Sequence, residues 1–433
     1  MQRYSKYKDS GVKWLGEIPS HWEVKHLRNF LTLFSEKGFG DSQLLSVTRE
    51  KGVILRDRDN KEENHNFVPD DLSGYKHLNA GDFVINKMKS WQGSYGVSDY
   101  EGIVSPAYFT CKLHGINSKF FSRAIRSRAY IGFFMQFSKG IRVDQWDLDP
   151  NSMKEIPFVV PSNEEQIAIV NYLDSVTSKI DEAIAQQQKM IDLLNERKQI
   201  IINDAVTKGL DPKAKMKDSG IDWVGQIPEH WNVRKTLFCL SMSITDGPHE
   251  TPQLYDEGIP FVSAEAVSCG NGRIDFDHVR GYISREFYEE CCKKYIPKKN
   301  DIYMIKSGAT TGKVALVDTD KEFTIWSPLA VFRCDQKVMH HEYMFFMLQS
   351  NLYQLQVQLG WTYGTQQNIG MRTLEKLKVP VPPINEQKQI ANFITEKSKP
   401  IDEAIEGANQ KIALLQERKQ IIINDIVTGK VKV

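Results

Sequence analysis

The sequence predicts an α+β chain. It is a tandem duplication of pseudo-two-fold character, with two mixed α/β domains separated by an antiparallel coiled coil of two long helices. Three observations carry this reading. Two segments each occur twice, one opening and one closing each half of the chain. The closing segments hold an apolar heptad, and the stretches between the repeats mix β-rich runs with helical ones.

The duplication comes first. Residues 8–24 read KDSGVKWLGEIPSHWEV and residues 217–233 read KDSGIDWVGQIPEHWNV, identical at 11 of 17 positions. Residues 193–207 (LLNERKQIIINDAVT) and 414–428 (LLQERKQIIINDIVT) agree at 13 of 15. Between these ends, 25–160 and 234–380 share little. One scaffold carrying two different contents favours recognition of two different things over a single reaction centre. The boundaries that follow are 1–160 and 211–380 for the variable domains, with helical regions at 161–210 and 381–433.

The closing segments read as long helices. Ile180, Ile184, Ile191, Leu194, Ile201 and Ala205 step by three and four residues, with Gln187 and Lys198 filling the gaps. Ile401, Ile405, Ala408, Ile412, Leu415, Lys419, Ile422 and Ile426 repeat the steps. This is a coiled-coil seam in which Lys198 and Lys419 are matching interruptions. Helices of 29 residues are roughly 44 Å long. Shorter helices precede them at 164–175 and 386–397. The breaks are predicted near Thr177–Ser178 and near Ser398–Pro400, because proline suits a first turn better than a helix interior. Gly209 and Gly429 are placed to cap.

In the middles, 82–88 and 301–306 follow turn signals and read as strands, as do Ile103–Val104, Tyr108–Thr110, Val314–Val317 and Leu329–Phe332. Helices are expected over 118–136 and 340–358.

Composition narrows the function. The 433 residues are 41% hydrophobic and 26% charged, the profile of a folded globular protein, and a net charge of +1 excludes a uniformly basic coat. No apolar run reaches membrane-spanning length, so no membrane partner is expected. Six cysteines without a CxxC pair read as reduced thiols, which places the chain in the cytoplasm. No catalytic or metal motif appears. Ser307–Lys313 (SGATTGK) approaches a phosphate loop, but it lacks one residue between its glycines and the Ser/Thr after Lys313. The chain is therefore read as non-catalytic by itself, with no metal site.

Polar and basic loops supply candidate DNA contacts. In the first half they are Lys87, Lys89, Ser90, Trp91 and Gln92, then Lys139, Arg142 and Gln145. In the second they are Thr245, Asp246 and His249, then Lys306, Ser307 and Lys313, then Tyr363, Thr365, Gln366, Gln367 and Asn368. Gln and Asn read adenine edges, Arg and Lys read guanine, and Lys also neutralises phosphate.

With these residues in place, the chain resembles the specificity (S) subunit of a Type I restriction-modification system. The resemblance rests on the doubled openings, the Glu165-Gln166 and Glu386-Gln387 helix starts and the doubled ERKQIIIND segments. Asp246-Gly247-Pro248-His249 and the Gly81-Asp82 and Asn300-Asp301 strand entries add to it. It implies two target-recognition domains, each reading half of an asymmetric, bipartite sequence in double-stranded DNA. It implies conserved helical regions that act as a ruler and dock two methyltransferase (M) subunits, with restriction (R) subunits completing a phage-defence enzyme. S-adenosylmethionine, ATP and Mg²⁺ would serve those partners in adenine methylation and DNA cleavage, and this chain would bind no cofactor. Glu165, Gln166, Glu196, Glu386, Gln387 and Glu417 are the expected partner contacts, because the same segments recur beside different domains. The first half lacks the Asp-Gly-x-His turn, and the second has Asn300 where glycine is usual. The competing reading is a coiled-coil scaffold without a nucleic-acid role.

Overall fold

The computed structural model describes residues 2–57, 68–140, 146–221, 224–363 and 367–433. The chain divides into two compact units, Met1–Gln188 with Asn409–Val433 and Lys189–Ala408.

The first unit is built on a four-stranded antiparallel sheet of β1 (Leu31–Phe34), β2 (Phe83–Asn86), β3 (Tyr95–Val97) and β4 (Tyr108–Leu113), in the order β1-β4-β2-β3. Against it pack α1 (Ser118–Ile125) and α2 (Arg128–Phe137). Phe83, Tyr95, Phe120, Phe121, Tyr130, Phe134 and Phe158 form one aromatic core. The repeated opening forms the hairpin Tyr7–Asp9 with Glu17–Pro19. Glu23–His26 then pairs with Pro157–Val160 and closes the base of the domain.

The long helix α3 (Asn163–Lys208) begins in this unit and ends in the second. The second unit repeats the plan. Its sheet is β5 (Thr245–Asp246), β6 (Ile302–Ile305), β7 (Val314–Leu316) and β8 (Leu329–Phe332), in the order β5-β8-β6-β7, the same as in the first. Helices α4 (His341–Gln349) and α5 (Asn351–Leu359) correspond to α1 and α2. Asn232–Lys235 pairs with Lys378–Val381, and α6 (Ile384–Val427) runs from this unit back into the first. Two middles with little common sequence thus share one strand order, because short runs of buried apolar residues specify strands in a core without specifying which apolar side chains fill it.

The seam forms as its period demands. Ile180, Ile191, Ala205, Ile401, Ala408, Ile422 and Ile426 are buried. Its two lysines meet aspartates. Lys198 donates to both carboxylate oxygens of Asp402 (2.7 and 2.9 Å), and Lys419 to both of Asp181 (2.7 and 2.7 Å). Advancing from Asp181 to Lys198 along α3 moves the partner from Lys419 back to Asp402 on α6, so the helices run antiparallel. A lysine in a seam tolerates only a register that supplies its counter-charge, and both pairs require the same one.

Two helix boundaries differ from the sequence prediction. No break occurs near Thr177–Ser178 or Pro400: α3 has 46 residues and α6 has 44, with Pro400 inside. At 1.5 Å per residue these are about 66–69 Å long, not 44 Å. An interior proline costs about 3 kcal/mol. The buried stripe of Ile390, Ile394 and Ile401 continues through it and offsets that loss. Conversely, 118–136 and 340–358 are each two helices, split at Ser127 and Ser350. Both serines are extended (ψ 158° and 143°), and Ser350 caps α5 by accepting from Tyr353 N–H.

Candidate nucleic-acid interface

The repeated motifs explain how each unit is held. Trp22 and Trp231 are fully buried, and each indole N–H donates to a helix-start carboxylate, Glu165 (3.3 Å) and Glu386 (3.0 Å). His21 and His230 lie 3.0 and 2.8 Å from the same carboxylates. The neighbouring glutamines are buried as well. Gln166 accepts from Asn117 N–H (2.9 Å), Gln387 from His340 N–H (2.7 Å), and each donates to a carbonyl five residues back. This corrects the expectation for Gln166 and Gln387: both are consumed inside their own units and cannot face a partner. Glu165 and Glu386 are likewise engaged by the His-Trp pair. Glu196 and Glu417 are exposed. The asparagines of the two ERKQIIIND segments also act locally. Asn424 accepts from Ala129 N–H at the start of α2, and Asn203 from Asn351 N–H at the start of α5. Each repeated helix end therefore packs on the domain encoded by the other half of the chain.

The second strand of each sheet is entered through an aspartate. Gly81 has φ +93°, and Asn300, its counterpart, has φ +73°. Asparagine tolerates this left-handed conformation better than other side chains, so the departure from glycine leaves the turn intact. Asp82 accepts from Asn79 N–H (2.8 Å) and pairs with Lys112 (2.9 Å). Asp301 accepts from Lys298 N–H (2.8 Å) and from two nitrogens of Arg333 (both 2.7 Å). The pairing registers make Lys112 and Arg333 equivalent: each lies one residue past the partner of its second strand's first residue.

This anchor sets where the strand ends, just before Lys87 in one unit and Lys306 in the other. The next residues turn back as the loop to the third strand. In both units a second hairpin is stitched to that loop by a matching backbone bond. Leu148 N–H donates to the Lys87 carbonyl (3.1 Å), and Ile369 N–H to the Lys306 carbonyl (2.9 Å). Around the first stitch, Lys139 pairs with Asp147, Lys87 binds Asp147 (2.9 Å), and the Trp91 and Trp146 rings lie 5.3 Å apart. Around the second, Tyr363 pairs with Gln367, Ser307 bridges Asn368, and Gly308 N–H donates to the Gln367 carbonyl (3.0 Å). The backbone thus brings together loops 55–63 residues apart in sequence and supplies a residue correspondence that the sequence does not show. Ser307–Lys313 connects two strands, so it lacks the helix that a phosphate loop opens.

Within these loops the predicted residues divide. Lys89, Lys139, Lys313 and Asn368 are exposed, and Trp91, Gln92, Ser307 and Gln367 half-buried. Ser90 is fully buried, its hydroxyl donating to the Lys87 carbonyl and lying 3.2 Å from Ser138 Oγ. It is a strut of the loop and not a reader. Asp246 is also buried. Lys294 (2.6 Å), Lys306 (3.3 Å) and His249 (3.2 Å) surround its carboxylate. Burial pushes that carboxyl up, but the two lysines outweigh it and hold it below the usual range. Asp246 is therefore a hub for cations and not a base contact, and Lys306 is spent on it. Gly247 has no room for a Cβ, which would come 1.9 Å from the Ile325 carbonyl. Thr245 pairs with Val331, and His249 is exposed. Arg142, Gln145, Thr365 and Gln366 lie outside the described residues. Trp146 escaped the sequence reading, although its place beside a basic loop was a usable signal.

Residues 251–414 match the family model described as the Type I restriction modification DNA specificity domain. A putative type I restriction enzyme specificity subunit (MjaX) of Methanocaldococcus jannaschii is 25% identical, covering 99% of this chain and 98% of its own length. The chain is thus similar to Type I specificity subunits along nearly its whole length. The EcoBI specificity subunit of Escherichia coli is 21% identical over 72% of this chain and 66% of its own. A solved chain described as "Structural basis underlying complex assembly and conformational transition of the type I R-M system" aligns with 96% of this chain and 99% of itself. Its TM-score is 0.62 at 14% identity, a likeness of fold.

Proposed function

We propose that this subunit reads an asymmetric, bipartite target in double-stranded DNA, one half-site per unit, through the two stitched loops of each. The observation that carries the reading is the repeated stitch. Both units present the same pair of loops at the end of the same strand, yet with different side chains: Lys89, Trp91, Gln92 and Trp146 against Ser307, Lys313, Gln367 and Asn368. A common frame with unlike side chains suits two different base sequences.

The exposed faces of α3 and α6 dock the partners. Leu193 and Ile200 on one helix, and Leu414 and Ile421 at matching positions on the other, are exposed apolar residues beside Glu196 and Glu417. The same stripe twice suits one kind of partner bound twice, the methyltransferase subunit. Restriction subunits join that assembly, and S-adenosylmethionine, ATP and Mg²⁺ serve those subunits in the cytoplasm. The test is assembly followed by binding. Wild-type subunit should co-purify with M, and the complex should bind duplex DNA in a salt-dependent manner. Charge reversal at Glu196 together with Glu417 should impair co-purification. A complex that ignores DNA would overturn the reading and favour a scaffold.

A further inference from the structure

Beside the reading loop of the first unit lies a concave cavity of about 1190 Å³. Gln92 of that loop lines it, followed by the edge strand β3, α1, and the α3 and α6 segments of the same unit. Seven cations and four carboxylates face it, a formal excess of 7 − 4 = 3. Most of these charges are already used. Arg123 pairs with Asp174 (2.8 Å), Lys419 with Asp181, and Arg49 with Glu50 (3.1 Å). Arg126 donates to the carbonyls of Arg49, Glu50 and Tyr95, and burial lowers its pKa. That leaves Lys51, Lys119 and Arg128. All three are exposed, and no ion pair among the described residues engages them; of the lining carboxylates only Asp99 is similarly free.

Two of these three cations lack a cationic counterpart among the described residues of the second unit. Counting from the helix N-caps Asn117 and His340, Lys119 corresponds to Glu342. Counting from Ser127 and Ser350, Arg128 corresponds to Asn351. At these two positions the positive charge belongs to the first unit.

We infer that this cavity is a phosphate track, in which Lys51, Lys119 and Arg128 neutralise the DNA backbone flanking the first half-site. The inference rests on the DNA-reading function proposed above and adds an asymmetry to it. Continuity through Gln92 favours a nucleic-acid backbone over an acidic protein surface, because one duplex can engage loop and cavity together. Each phosphate neutralised contributes about 0.9 to the slope of log K against log salt.

The test compares the wild-type S–M complex with one carrying Lys51→Gln, Lys119→Gln and Arg128→Gln, on a duplex bearing the target mapped by methylation. The slope should shallow by roughly 2–3 with base preference unchanged. Trimming the duplex outside the first half-site should erase the difference between the complexes, whereas trimming outside the second should preserve it. An unchanged slope in a variant that melts at the wild-type temperature would overturn the inference. Lost co-purification with M at an unchanged DNA slope would also overturn it and assign the cavity to an acidic protein surface. A wild-type complex that binds no duplex would overturn the underlying function instead.

Discussion

The seam lysines allow a quantitative test of how the two long helices choose their register. Lys198 is 19% exposed and holds both oxygens of Asp402, which is 35% exposed. At about 4 Å and an effective dielectric near 20, the gross attraction is about 4 kcal/mol. Desolvation and side-chain ordering remove much of it, which leaves a coupling of about 1–2 kcal/mol, between exposed and fully buried pairs. Asp402→Asn should cost more than Lys198→Met, because it strands an ammonium in the seam whereas the converse leaves a carboxylate partly in water. The double variant should recover most of the loss. The matching pair at Lys419 and Asp181 should couple more weakly, about 0.5–1 kcal/mol, because Asp181 is 56% exposed. The assay is a double-mutant cycle at each pair, read by denaturant unfolding. Coupling below about 0.3 kcal/mol at Lys198–Asp402 would refute the register argument and leave the lysines as mere interruptions.

Other consequences are as direct. Arg333→Met leaves Asp301 buried without its guanidinium and should cost about 3–5 kcal/mol, whereas the equivalent Lys112→Met, with a 41% exposed lysine, should cost about 1–2; paired denaturation curves decide. The folded pKa of Asp246 lies below its ordinary 3.8, so its contribution is complete above the carboxylate range and is lost as pH falls through the lower folded value. Asp246→Asn should therefore flatten the acid limb of stability against pH, and an unchanged limb would exclude the cation hub. Gln367→Ala should weaken recognition at the second half-site by about 1–3 kcal/mol, with the loss specific to one base pair. Lys313→Ala should lower affinity for all duplexes alike, and titrations against point-substituted sites separate the two outcomes.

Local periodicity and repetition carried the sequence reading furthest. The seam, the second strands, the strand entries at Asp82 and Asp301 and the capping Gly209 and Gly429 (φ +72° and +77°) rest on neighbours within a few residues, so the sequence displays them. Features that depend on distant partners were not legible. Asp246 looks like part of a polar turn until Lys294, 48 residues on, covers it. Glu165 and Glu386 look like free helix starts until His-Trp pairs some 150 residues away fill them. Pro400 misled because its local penalty is real, while the stripe that overrides it is tertiary. Ser127 and Ser350 were readable N-cap positions, though only Ser350 caps through its side chain, and apolar residues on both sides obscured them.

The central claim is that each unit reads its own half-site through loops held in a common frame. The strand pair Glu23–His26 with Pro157–Val160 closes the base of the first domain, so residues 27–156 can be exchanged for those of another family member without cutting that frame. Methylated bases are then mapped in cells carrying the hybrid with wild-type M subunit. The account predicts that one half of the target changes while the other half and the spacing persist. A hybrid that methylates efficiently but alters both halves, or neither, would contradict it.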